Sequence, residues 1–116
     1  MVLSAREVVL IDDVSGLDAG SGAFTPAEQA YAASKSDPER RLAARLAAKR
    51  AAVTLLGEGM EPGDVEVLPG RGGPPRLSLS PRAAARLRAL GAGRVLVSLT
   101  HGRTHAAASV LFLEAE

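Results

Sequence analysis

The stretch from Ser36 to Gly57 reads as one long helix, and the rest of the chain must be arranged around it. Ser36–Asp37–Pro38–Glu39 has the form of a capping box, with proline near the first helical position, where its missing N–H costs nothing. Gly57 is a helix stop, because glycine enters the left-handed region without penalty. Between these ends Leu42, Leu46, Val53 and Leu56 recur at helical spacing, and alanines fill the gaps, so another layer can pack closely. Arg41, Arg45 and Lys49 recur four apart on a second stripe. Like charges at that spacing repel by a few tenths of a kcal/mol per pair. An anionic partner would relieve the repulsion. The same pattern also suits a solvated helix face, and spacing alone does not choose between them.

The flanking segments are short. Val8–Val9–Leu10–Ile11 is an apolar, β-branched run that reads as a buried strand ending at Asp12–Asp13. A loop follows from Ser15 to Gly22. Thr25–Pro26–Ala27–Glu28 is another capping box and predicts a helix over Pro26–Ala33. Beyond the long helix, Val65–Leu68 and Arg76–Leu79 read as strands joined by a Gly/Pro turn. Ser80–Pro81 caps a helix to about Leu90, closed by Gly91–Ala92–Gly93. Arg94–Thr100, with Val95, Val97 and Leu99 on one face, and Ala106–Glu114 form a hairpin across residues 101–105. The fold class is therefore α/β in the broad sense, α+β in detail: a small mixed sheet packed against a long helix, within a single domain over residues 1–116.

Composition excludes several functions. The chain has 116 residues and no cysteine, which removes disulfides, zinc thiolates and a catalytic thiol. No apolar run approaches the roughly 20 residues of a membrane span. Arg6 is not followed by a long apolar stretch, so no signal peptide is expected. These features suit a cytoplasmic protein. A net charge of +1 does not point to nucleic acid. Only 3% of residues are aromatic, so Leu, Val and Ala fill a thin core that an oligomer would complete.

Three groups could carry chemistry. Asp12 and Asp13, at a strand end, could ligate Mg²⁺ through oxygen or cap a loop. His101 and His105 flank a hairpin turn, which does not bring them together as a helical pair would. Gly70–Arg71–Gly72–Gly73–Pro74–Pro75 is flexible but lacks the GK[ST] and following helix of a phosphate loop, so a hairpin connection is the simpler reading.

In order, six segments resemble the acyl-carrier-protein synthases of the 4′-phosphopantetheinyl transferase superfamily. Phe24–Thr25–Pro26–Ala27–Glu28 is similar to the family's FTxxE. The run from Leu42 to Ala51 resembles LAGRFAAKEA. Asp64–Leu68 resembles DIEV, Gly73–Leu77 resembles GKPxL, Val97–His101 resembles VSLSH, and Ala106–Val110 resembles AxAxV. The resemblance implies a phosphopantetheinyl-transferase-like fold. It implies transfer of 4′-phosphopantetheine from coenzyme A to a serine of an apo acyl carrier protein, in fatty acid or polyketide biosynthesis, by a Mg²⁺-dependent homotrimer in the cytoplasm, with no nucleic acid or membrane partner. It places coenzyme A near Arg45, Lys49, Gly73, Pro74 and His101, and makes Asp13, Arg50 and His101 the catalytic positions. The metal-binding Asp falls on Asp13, with Asp12 and Asp18 as alternatives. The family's second carboxylate falls on Arg50 and its signature lysine on Thr54, so the second metal ligand is lost. Arg50 is expected to pair with Asp13 where the family holds its metal. The segment before Phe24 is shorter than is usual for the family. A degenerate relative that binds coenzyme A or a carrier protein, or a structural subunit of a synthase-like assembly, fits the same substitutions.

Overall fold

The long helix does lie against everything else. The computed structural model describes residues 2–15, 17 and 22–115. Strand β1 (Val2–Leu10) is followed by a single helical turn, α1 (Ile11–Val14), then by α2 (Pro26–Ala33) and α3 (Pro38–Leu56). A 3₁₀ turn at Pro62–Asp64 leads into the hairpin β2 (Val65–Leu68) and β3 (Arg76–Leu79), then α4 (Pro81–Ala89), β4 (Ala92–His101) and β5 (His105–Glu114).

Helix α3 packs across a three-stranded sheet of order β1-β5-β4, while β2 and β3 pair separately. Every pairing is antiparallel, so the sheet is not the mixed one expected. A parallel pair would need a crossover returning to the same sheet. Here the strand after α3 leaves for the hairpin, and β1 pairs with the last strand, Val2 opposite Leu113 and Leu10 opposite His105. The first strand also runs longer than its apolar run. It starts at Val2 and stops at Leu10, because Ile11 and Val14 are buried together, three apart, on the helical turn. That turn leaves Asp12 and Asp13 exposed in its first positions, where carboxylates favour a helix N-terminus.

In β1 alternate residues Leu3, Ala5 and Val9 meet the core, opposite Phe112, Val110 and Ala106. From Ala43 to Lys49 α3 is buried on all sides, so the expected basic stripe is not a solvated face. The expected capping box at Ser36 is replaced by Asp37 as N-cap, without a side-chain cap bond. Gly57 does terminate the helix, at φ 98°.

The hairpin is tied to α4 by Asp64. Its carboxylate accepts bonds from Glu61 N (2.9 Å), Ser80 Oγ (2.7 Å), and Arg82 Nε and Nη2 (2.8 and 2.6 Å). The Arg82 guanidinium, with Ser80 and the Glu61 N–H, holds Asp64 well below the usual carboxylate range. A depressed folded-state pKa contributes stability above the unfolded value and loses it as pH falls through that range. Asp64→Asn is thus expected to lose about 2 kcal/mol at pH 7 and to flatten the acid limb of stability below about pH 4. Denaturant titrations at several pH values would measure both. Equal acid slopes for the two proteins would contradict this role.

Candidate functional site

The FTxxE-like and AAK segments meet in a buried network. Thr25 Oγ1 accepts from Glu28 N (3.2 Å), and Glu28 Oε1 accepts from Thr25 N (2.8 Å), completing the capping box of α2. Glu28 Oε1 also accepts from Lys49 Nζ at 2.5 Å, and Oε2 accepts from Val67 N at 2.8 Å. One carboxylate thereby fastens α2 to α3 and to β2. Both side chains are fully buried, and Lys49 Nζ lies 5.6 Å from the Phe24 ring centre. Lys49 is not the ligand-facing cation expected. Its ammonium is inside the core, because Glu28 and the Phe24 face receive it there.

One turn earlier on α3, Arg45 lies with its guanidinium 4.1 Å from the centre of the Tyr31 ring and is only 4% exposed. Its Nη1 donates to Arg41 O at a long 3.4 Å, and its buried Nε has no hydrogen-bond partner. Burial pulls the Arg45 pKa below its ordinary value, with Tyr31 opposing the shift. Buried guanidinium nitrogens are normally hydrogen-bonded, and Arg45 Nε is an exception. Two adjoining clefts reach Arg45. One, of about 320 Å³, is lined by Arg41, Arg45, Thr100 and His101. The other, of about 190 Å³, is lined by Tyr31, Arg41, Arg45, Gly70, Gly73 and Pro75. The turn between β2 and β3 thus forms a wall. Gly70 permits it, since a Cβ there would stand 2.2 Å from the carbonyl oxygens of Gly73 and Pro74.

The clefts unite three of the expected residues: Arg45, His101 and Gly73. Pro74 is exposed and outside them. Asp13 and Arg50 are also exposed and outside them. Asp18 lies outside the described residues. The expected Arg50–Asp13 ion pair does not form. Asp12 shares a groove with Ser36–Arg40 at the start of α3, whereas Arg50 stands about 15 Å further along the helix axis than Arg40. Two participants carry little signal in the sequence: Tyr31 is only the lone tyrosine, and Asp37 reads as part of a cap. Glu7 is likewise silent there, a half-buried acid on the core-facing side of β1, alternating with Ala5 and Val9.

Magnesium needs carboxylate oxygens and room for its waters. Among the described residues no three acidic or histidine side chains converge on one point. Position 50 carries a guanidinium, which only donates and is positive. The residues present do not fit a magnesium ion there.

Among known proteins, the holo-[acyl-carrier-protein] synthase of Moorella thermoacetica is 44% identical over 91 residues, 76% of this chain and 71% of that relative. The chain belongs to the holo-[acyl-carrier-protein] synthase family. A synthase of Nitratidesulfovibrio vulgaris is 50% identical over 80 residues, and the match spans 64% of its length. Among solved synthases, the coenzyme A complex from Chronobacterium ammoniagenes superposes with TM-score 0.80 at 25% identity, covering 100% of this chain and 99% of that one. The Mycobacterium tuberculosis synthase does so with TM-score 0.67 at 28% identity, covering 97% and 96%. No family model matches the chain. The FTxxE-like and AAK segments meet in this chain at the buried Glu28–Lys49 pair.

Proposed function

We propose that this chain transfers 4′-phosphopantetheine from coenzyme A to a serine of an apo acyl carrier protein, releasing 3′,5′-ADP. The observation that carries the reading is the buried, under-bonded Arg45 between the His101 and Gly70–Pro75 walls of the cleft. In this reading the serine oxygen attacks the phosphorus on the pantetheine side of the diphosphate. The bond from that phosphorus to the bridging oxygen breaks, and 3′,5′-ADP departs with the electron pair. Arg41 and Arg45 hold phosphate oxygens by charge-assisted bonds. In this reading a ring nitrogen of His101, which lines the same cleft, takes the serine proton. No step is assigned to magnesium, because the donors at position 50 do not suit it. The reaction belongs to the cytoplasm, and among the described residues no helix is long and apolar enough to cross a membrane. Chromatographic detection of 3′,5′-ADP tests the reading: release should require both coenzyme A and apo carrier protein. Release that ignores the carrier protein would contradict it.

The loss of the acid at position 50 favours a second reading, a coenzyme-binding relative without turnover. In that case coenzyme A binds and 3′,5′-ADP is never released.

The active assembly in this proposal is a homotrimer. Directly paired residues of an antiparallel sheet share a face. On the face turned away from α3, Val2, Val8, Leu10 and Leu96 are exposed by 42–61%. These exposed apolar side chains, interrupted by Ser4, Arg6 and Ser98, suit a subunit contact. Light scattering at micromolar concentration should report three subunits, and Val8→Asp should yield smaller species. A monomeric natural chain would contradict the assembly.

A further inference from the structure

We propose that Asp37 is a positioning residue for Arg41, fixing its guanidinium so that the terminal nitrogens face the phosphate cleft. The inference rests on reading that cleft as the coenzyme's phosphate site.

Asp37 occupies the N-cap of α3, where an aspartate side chain normally accepts a backbone N–H of the first turn. It makes no such bond. Its Oδ1 accepts from Arg41 Nε at 3.0 Å, and its Oδ2 lies 4.0 Å from His101 Nε2. The carboxylate is thus turned from the helix end toward two side chains that line one cleft. Its partner atom on Arg41 is informative. Binding Nε holds the root of the guanidinium and leaves the terminal nitrogens, the pair that meets phosphate oxygens as a fork. Arg45 is held in a corresponding way, its guanidinium over the Tyr31 ring. Both cations are therefore held before a ligand arrives, one by a carboxylate and one by an aromatic face, and less freedom is lost on binding. The Arg41 bond keeps Asp37 below its ordinary pKa, consistent with a permanently ionised anchor.

A carboxylate beside an anion site could also act oppositely, by competing with phosphate for Arg41. The two roles give opposite signs. Asp37→Ser retains a preferred N-cap residue but cannot reach Arg41. Calorimetry with 3′,5′-ADP should show about tenfold weaker binding for this variant, with an unchanged thermal midpoint. In an Arg41→Ala background the same substitution should cost nothing further, since Asp37 acts through Arg41. Asp37→Asn, the near-isosteric change, should fall between the natural chain and Asp37→Ser. Binding by either variant as tight as or tighter than the natural chain would overturn the proposal. So would a loss that persists without Arg41. No binding of 3′,5′-ADP by the natural chain would overturn the cleft reading together with this inference, whereas undiminished binding by the variants overturns the inference alone.

Discussion

Lys49→Met is expected to destabilise the fold by about 3–5 kcal/mol, because it strands the buried Glu28 carboxylate without its cation. A domain of this size has a total stability on the order of 5–15 kcal/mol, so the variant should sit near its unfolding midpoint in mild denaturant. The carboxylate cannot simply be released to water. It also receives Thr25 N and Val67 N, so moving it would open both the start of α2 and its bond to β2. Replacing both partners, Lys49→Met with Glu28→Gln, should recover part of the loss, since a neutral amide costs less to bury and its single oxygen can still accept one of the two backbone bonds. Urea titrations of the natural chain and the two variants measure this directly. At low denaturant, whatever fraction of Lys49→Met remains folded should bind coenzyme A as the natural chain does, because the ammonium never reaches the cleft. A Lys49→Met chain as stable as the natural one, but unable to bind coenzyme A, would reverse this assignment.

The second large effect is on binding. Arg45→Ala should weaken coenzyme A binding about 100-fold, or about 2.7 kcal/mol. Two properties combine. The guanidinium is nearly buried, so its charge acts through protein and not through water, and its unbonded Nε means that the free protein leaves a donor unused. The cost to the fold should be small in comparison, since the same substitution removes an unsatisfied buried group. Arg45→Lys should restore little, because an ammonium has neither the flat face that lies on Tyr31 nor two parallel donors. Calorimetry decides: a fall of less than threefold for Arg45→Ala would remove Arg45 from the phosphate site.

Much of the local structure was legible because short-range chemistry sets it. The ends of α2, the Gly57 stop, the two short strands and the final hairpin all carry their signals in neighbouring residues. The failures concern direction and distance. Four-residue spacing showed that Arg41, Arg45 and Lys49 share a stripe, but from Ala43 to Lys49 the alanine-rich helix is buried on all sides, so Arg45 and Lys49 have no outward face to point to. The anion that receives Lys49 is 21 residues away in the chain and was already explained as a cap, so nothing local announced the pair. Strand β1 was read too short because its outer positions, Ser4 and Arg6 among them, break the apolar run while keeping the alternation. Asp13 was matched to a metal site by order along the chain. The buried pair Ile11 and Val14 instead winds it into a helical turn facing solvent. Arg50 is the residue whose meaning lies furthest from its surroundings. It is exposed, makes no ion pair with Asp13, and stands where the family pattern has an acid.

The transferase proposal is tested most directly by the intact mass of an apo acyl carrier protein after incubation with this chain and coenzyme A, with and without Mg²⁺. The carrier protein should gain one phosphopantetheine on its serine, and the gain should persist when Mg²⁺ is chelated. A carrier protein of unchanged mass in both conditions, alongside demonstrable coenzyme A binding, would contradict it.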